Sequence, residues 1–135
     1  MIFVDSSYLF ALLDRRDQLH STAGAWQSVL ESRLTTTDYV LWEVMNAFSA
    51  PVNRVKAHAA LDEIRSEVQW ELVAASPELF ERGLTLHRQS TDKDWSLTDC
   101  TSFVVMRQRG IFQALTYDHH FEQAGFEALL RRDPP

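Results

Sequence analysis

Short apolar runs alternate with longer stretches of helical periodicity along the whole chain. Ile2-Phe3-Val4 is a continuous apolar run that stops at Asp5, the mark of a short strand buried on both faces. Ser6 to Leu13 carries Leu9, Leu12 and Leu13 on one side and predicts a helix. Thr22 to Ser32 predicts a second, with Trp26, Val29 and Leu30 as its apolar stripe. Leu34 to Thr36 reads as a strand, Thr37 or Asp38 as a cap, and Tyr39 to Ser49 as the next helix, ended by Pro51. Val52 to Glu67 predicts a helix with a charged outer face, and Trp70 to Ala75 a strand. Ser76-Pro77-Glu78 combines a cap, a first-turn proline and an acid near the positive helix end, so a helix starts there and runs to about His87. Beyond the polar loop Ser90 to Asp94, Ser96-Leu97-Thr98-Asp99 matches a capping box and opens a helix to Arg109, with Gly110 as its C-cap. Ile111 to Thr116 reads as a strand, Asp118 to Gln123 as a short helix or turn, and Phe126 to Leu130 as the last strand. Strands separated by helices need crossover connections, which predicts a three-layer α/β/α domain around a mostly parallel sheet.

Composition narrows the class. With 135 residues, one domain is expected, over 1–132, followed by the short tail Asp133-Pro134-Pro135. A hydrophobic share of 45% and an aromatic share of 11% suffice for a core without disulfide or metal staples. Four glycines, four prolines and 24% charged residues argue against a disordered chain. The single cysteine, Cys100, excludes an intramolecular disulfide and a cysteine-based zinc cluster and fits a reducing, cytoplasmic setting. No apolar run approaches a membrane span. Met1 leads directly into the first strand without a basic segment, so no signal peptide is expected.

Charge then poses a question. Thirteen basic against 19 acidic residues give −6, which excludes a module that holds nucleic acid by bulk charge. Contact with a phosphate backbone would need something other than net charge to cancel the repulsion, and carboxylates gathered around divalent cations would do so. In open parallel sheets, ligands bind beyond the carboxyl ends of the strands, where strand order reverses. That rule selects Asp5, directly after the first strand, and Asp118, two residues after Thr116. Asp99 lies in the first turn of its helix. Glu43 is the only charged residue between Asp38 and Arg54, on a helix whose apolar composition predicts burial, so its carboxylate needs a partner. Each acid also has a structural alternative: Asp5, Asp99 and Asp118 as caps, Glu43 as a solvated face residue. Four converging carboxylates would repel one another unless hard cations such as Mg²⁺ or Mn²⁺ neutralised them. Two such ions would bring −6 to about −2, with the positive charge concentrated where a phosphate must lie.

Four segments carry a family likeness: Val4-Asp5-Ser6-Ser7-Tyr8-Leu9, Thr35 to Glu43, Ser96 to Phe103, and Ala114-Leu115-Thr116-Tyr117-Asp118-His119-His120-Phe121. In this order, spanning nearly the whole chain, they resemble PIN-domain ribonucleases, and among these the toxin subunits of VapBC-type toxin–antitoxin pairs. The resemblance implies a parallel five-stranded sheet and a Mg²⁺- or Mn²⁺-dependent endoribonuclease with the quartet Asp5, Glu43, Asp99 and Asp118. Asp5 and Asp99 would be central ligands, completed by Glu43 and Asp118. It further implies hydrolysis by a metal-activated water, an antitoxin partner and a homodimer. Asp94 resembles an extra acid of some members. Ser6, Thr98 and Thr116 are expected to bond the ligands or the phosphate. Cys100 and Trp42 stand where other residues are frequent, without removing a ligand.

Other residues receive plainer readings. Cys100 is read as a small buried hydrophobe, and Trp26, Trp42 and Trp70 as mostly core. The adjacent His119 and His120 are expected to diverge and face solvent or substrate rather than share a metal. Lys93 and Arg15 are named as phosphate contacts, and apolar surface on the second and fourth helices as a partner site. A non-catalytic PIN-fold binding protein is the alternative function. A phospho-acceptor receiver domain is disfavoured because Asp5 is followed by serines and no lysine occurs after Lys93.

Overall fold

A computed structural model describes all 135 residues. Five strands form one sheet: β1 (Ile2–Val4), β2 (Leu34–Thr37), β3 (Trp70–Val73), β4 (Gln113–Leu115) and β5 (Glu127–Ala128). Their order is β3-β2-β1-β4-β5, and every pairing is parallel. Seven helices connect them: α1 (Ser6–Leu13), α2 (His20–Val29), α3 (Asp38–Ala47), α4 (Pro51–Ser66), α5 (Pro77–Gln89), α6 (Leu97–Arg109) and α7 (His119–Gln123). Every residue of β1 and β2 is buried although successive side chains point to opposite faces, so helices cover both sides of the sheet.

The buried threonines of β2 avoid any polar penalty by local bonding. Thr35 Oγ1 donates to the Glu71 carbonyl at 2.7 Å and Thr36 Oγ1 to the Val4 carbonyl at 2.7 Å. Thr37 Oγ1 accepts from Val40 N at 3.2 Å and caps α3. The Thr36 bond pins the end of β1 immediately before Asp5.

An aromatic stack fixes α6 against the strands. Phe103 meets Trp95 edge-on at 5.0 Å, Phe121 edge-on at 4.9 Å and Phe126 at 5.6 Å, while Phe121 also faces Phe3 at 6.4 Å. Phe103 lies one turn after Asp99, Phe3 two residues before Asp5, and Phe121 three after Asp118. The same core contacts therefore set the spacing of three of the acids.

Helix α5 packs closely on α6 through Gly83. A Cβ there would stand 2.6 Å from Thr101 Cγ2, and Thr101 cannot rotate freely because its hydroxyl donates to the Thr98 carbonyl at 2.8 Å. Gly83→Ala is therefore expected to cost about 1–3 kcal/mol of stability by overpacking, despite alanine's better helix propensity. Urea unfolding checks this as a lower midpoint at unchanged slope.

Several boundaries differ from the sequence expectation. The final strand is only Glu127–Ala128, followed by a 3₁₀ turn at Leu129–Arg131. Leu129 and Leu130 are both buried, and two consecutive residues of a strand cannot face one core. The turn lets both do so, and Leu130 N donates to the Thr116 carbonyl at 3.1 Å. Helix α2 begins at His20 rather than Thr22 because Asp17 Oδ1 accepts from Leu19 N at 2.8 Å and the His20 Nδ1 meets the Ala11 carbonyl at 2.7 Å. It ends at Val29, where Leu30 turns extended. Strand β4 is shorter than Ile111 to Thr116, and β3 stops at Val73.

Candidate active site

Strands β1 and β4 are neighbours, yet the chain leaves β1 toward β2 on one side and β4 toward β5 on the other. The crevice beyond their carboxyl ends is the switch point of the sheet. Asp5 leaves β1 as the N-cap of α1, and Asp118 follows β4 as the N-cap of α7. Glu43 lies on α3, which directly follows β2, and Asp99 in the first turn of α6.

Three sets of hydrogen bonds hold these acids. Thr116 Oγ1 donates to Asp5 Oδ2 at 2.8 Å and accepts from Asp118 N at 3.0 Å, linking the ends of β1 and β4. Ser7 Oγ donates to the same Asp5 oxygen at 2.9 Å, and Ser7 N reaches it at 3.4 Å. Ser6 Oγ donates to Glu43 Oε1 at 2.5 Å, tying α1 to α3. Ser96 N donates to Asp99 Oδ2 at 3.1 Å, and Ser96 Oγ accepts from Asp99 N at 3.0 Å, which completes the capping box. His120 N donates to Asp118 Oδ1 at 2.9 Å.

One pattern recurs in all four carboxylates. The protein holds a single oxygen of each: Oδ2 of Asp5 and Asp99, Oδ1 of Asp118 and Oε1 of Glu43. The second oxygen of each takes no hydrogen bond. None of these free oxygens is sealed from solvent, because the one buried side-chain polar atom without a partner is Nδ1 of His120. Capping oxygens and free carboxylate oxygens thus coexist on the same side chains. The structural alternatives for Asp5, Asp99 and Asp118 describe one oxygen, and a binding role is open to the other.

Electrostatics agree with crowding. Asp5 is only 4% exposed, and burial pushes its carboxyl up to about 6. Hydrogen bonds from Thr116 and Ser7 oppose that rise, while the charge of Asp99 adds to it. Burial also raises Asp99; the Ser96 backbone bond opposes it, Asp118 adds repulsion and His120 relieves part of it. Cys100 is fully buried, and its thiol is pushed up to about 11, which leaves it a hydrophobe rather than a nucleophile.

The remaining predicted residues divide. Ser6 and Thr116 touch Glu43 and Asp5 as described. Thr98 faces a groove with Tyr39, Trp42, Glu43 and Asn46. Asp94 is exposed on the loop before Trp95 and makes none of the bonds that join the acids. Lys93 pairs with Asp92 at 2.6 Å, and Arg15 is exposed.

Three expectations need correction. Helix α3 is not buried all round: Trp42 is 71% exposed and Asn46 is exposed, because this face of α3 borders the groove instead of the core. Glu43 is half-buried and has its partner in Ser6. His119 is exposed as expected, but the two rings do not diverge: they lie 4.4 Å apart, both Nδ1 atoms approach Asp118, at 3.7 and 3.0 Å, and His120 is largely covered. The turn preceding α7 curls both rings back over the cap. Ser7, overlooked in the sequence, is legible in retrospect as a hydroxyl two residues after a cap aspartate.

The donor set tests whether a divalent cation fits. Ligand atoms of Asp118, His119 and His120 lie within 4.8 Å of one another, the buried, unpartnered Nδ1 of His120 lies 3.4 Å from Asp99 Oδ2, and Asp5 and Asp118 share Thr116 Oγ1. Such a set suits a hard or borderline divalent ion, and hydrogen bonds to the opposite oxygen orient each ligand.

The PIN domain model matches residues 2–127. The chain belongs to the PIN-domain family. It is 33% identical over 129 residues to the 23S rRNA-specific endonuclease VapC20 of Mycobacterium tuberculosis, covering 93% of this chain and 95% of that one. The crystal structure of that VapC20, described as a sarcin–ricin loop cleaving toxin, superposes with a TM-score of 0.84 at 29% identity over 93% and 96% of the two chains. FitAcB from Neisseria gonorrhoeae shares the fold, with a TM-score of 0.66 at 13% identity over 95% of each. The α/β sheet described above is thus the PIN fold, and the chain is a VapC-type PIN-domain protein. PIN nucleases use divalent cations. No helix is long and apolar enough to cross a membrane.

Proposed function

We propose that this chain is a metal-dependent endoribonuclease, the toxin of a toxin–antitoxin pair, which hydrolyses an RNA phosphodiester and leaves a 5′-phosphate and a 3′-hydroxyl. The observation that carries this reading is the set of four carboxylates at the switch point, each with one oxygen anchored and one free. Asp5 and Asp99 are the central ligands of a Mg²⁺ or Mn²⁺ ion, with Glu43 and Asp118 completing the site. When bound, the cation supplies acidity to a water molecule and positive charge for the phosphate. Thr116 and Ser7 hold Asp5 in its ligating rotamer, Ser6 does the same for Glu43, and the capping box does it for Asp99. Asp94, outside this network, adds negative charge near the α6 entrance. Likeness to VapC20 makes the sarcin–ricin loop of 23S rRNA the first RNA to test.

Trp42 supports a single-stranded substrate. Its exposed indole shares a groove of about 390 Å³ with Glu43 and Thr98. That position offers an unpaired base a stacking face beside the scissile phosphate. Trp42→Ala should lower kcat/KM roughly 5- to 150-fold, the equivalent of about 1–3 kcal/mol of lost stacking, while Trp42→Phe retains most of it. Equal rates for Trp42→Ala and wild type would exclude base stacking there.

The partners are a cognate antitoxin and a second copy of the chain, in the cytoplasm. The cleft lined by Leu12, Leu13, Leu30, Ile64 and Trp70, between α2 and α4, suits an apolar antitoxin segment. Exposed Val52 and Val55 on α4 suit the second copy. The nuclease domain comprises 1–132, with 133–135 as a tail. The test is incubation of the purified protein with a sarcin–ricin stem-loop and with total RNA. Cleavage in Mg²⁺ or Mn²⁺ that stops with EDTA is the expected outcome; RNA binding without cleavage in either ion would instead establish a non-catalytic PIN-fold binding protein.

A further inference from the structure

His120 differs from every other polar side chain in the fold. Its Nδ1 is buried and has no hydrogen-bond partner. It nevertheless lies 3.0 Å from Asp118 Oδ1 and 3.4 Å from Asp99 Oδ2. The distances suit hydrogen bonds, but the directions do not, so an N–H at this position points squarely at neither oxygen. A buried nitrogen left in that state is costly unless something else engages it.

The spacing indicates what that is. Two donor atoms bound cis on an octahedral cation with bonds of about 2.1 Å stand about 3.0 Å apart. Both nitrogen–oxygen separations fall near that value. These are the oxygens that the backbone holds, through Ser96 N and His120 N, rather than the free ones; each keeps a lone pair for a second interaction, so the cap does not exclude it as a ligand. The imidazole is also held in place. Its backbone N–H caps on Asp118, Phe121 beside it is clamped between Phe3 and Phe103, and the His119 ring lies tilted against it at 4.4 Å.

We propose that His120 is a nitrogen ligand, through Nδ1, to the divalent cation shared by Asp99 and Asp118, and that it biases the site toward Mn²⁺ over Mg²⁺. The assignment rests on the reading of the acids as a cation site. Mg²⁺ prefers all-oxygen surroundings and gains little from imidazole, whereas first-row transition ions accept nitrogen readily. A neutral donor also adds a ligand to a crowded acidic site without adding charge.

Pulsed electron paramagnetic resonance of the Mn²⁺-loaded protein tests this without any activity measurement. Nitrogen modulation characteristic of a directly bound imidazole is expected, and it should change to the ¹⁵N pattern in protein labelled with ¹⁵N-histidine. His120→Ala should still bind Mn²⁺, lose the modulation, and show a Kd raised about 10- to 100-fold. Its Mg²⁺ affinity should fall less, so that the Mn²⁺/Mg²⁺ preference measured by calorimetry drops several-fold. His119→Ala should keep the modulation, and Asp99→Asn should weaken both ions. Mn²⁺ bound to wild type without nitrogen modulation overturns the His120 assignment and leaves the acidic site standing, as does an unchanged preference in His120→Ala. Absence of any binding of either ion to wild type overturns both.

Discussion

Asp5→Asn and Asp99→Asn will each lower kcat/KM for RNA cleavage by about 10³-fold or more, and each will abolish growth arrest on expression without antitoxin. A bound cation contributes several kcal/mol to the transition state, and tenfold in rate corresponds to about 1.4 kcal/mol. The substitutions are chosen to spare the fold. Asparagine caps a helix about as well as aspartate, so its carbonyl can still accept from Thr116 at position 5 and from Ser96 at position 99. What is lost is the charge of the carboxylate and its quality as a ligand. Glu43→Gln and Asp118→Asn should have smaller effects, since both side chains are less buried than Asp5 and Asp99 and water can take the place of their ligand oxygens. Circular dichroism will show whether the fold is retained. Cleavage within tenfold of wild type in either Asp5→Asn or Asp99→Asn would remove that carboxylate from the chemistry.

Stability will respond to pH and metal in opposite senses. Asp5 has a folded-state value of about 6 against 3.8 for the model carboxyl, so between those values the folded state binds more protons than the unfolded chain. Stability of the metal-free protein should therefore fall as pH rises from about 4 to about 6 and stay reduced above that, by about 3 kcal/mol from this group. Asp99 is shifted in the same direction and steepens the trend. Asp5→Asn removes most of the slope and should make the metal-free protein more stable than wild type at neutral pH. A cation that binds only the folded state reverses the loss: at a hundredfold excess over Kd it adds about 2.7 kcal/mol, or about 10 °C in melting temperature for a domain of this size. Thermal unfolding with EDTA, Mg²⁺ and Mn²⁺ at several pH values measures both effects. A metal-free protein that gains stability from pH 4 to 7, or an Asp5→Asn variant that melts far below wild type, would show that Asp5 serves the fold rather than a bound ion.

The fold was legible because its determinants are local. Ile2-Phe3-Val4, the capping box at Ser96 and the proline at the start of α5 each announce an element without reference to anything distant. The acids were legible as a set because a parallel sheet places whatever follows its strands at one edge. Other features were not. Trp42 reads as core in a helix of apolar composition, since periodicity locates an apolar face but not which face a neighbouring helix leaves uncovered. His119 and His120 read as divergent because adjacent residues on a turn usually are, and only the cap formed with Asp118 brings both rings against it, with His120 turned inward and His119 left exposed. Leu129 and Leu130 read as strand because an apolar run carries no sign of a 3₁₀ turn.

By itself the chain determined the order of strands and helices, the caps, and the four carboxylates that end up sharing an edge, because propensity and periodicity act over a few residues at a time. Tertiary structure alone decided which oxygen of each carboxylate is held and which is free. It also decided that Ser7 and Thr116 bridge two strands, and that a histidine nitrogen is buried among the acids. Those outcomes depend on distances of a few tenths of an ångström between segments up to about a hundred residues apart, which only the packing of Phe3, Phe103 and Phe121 sets.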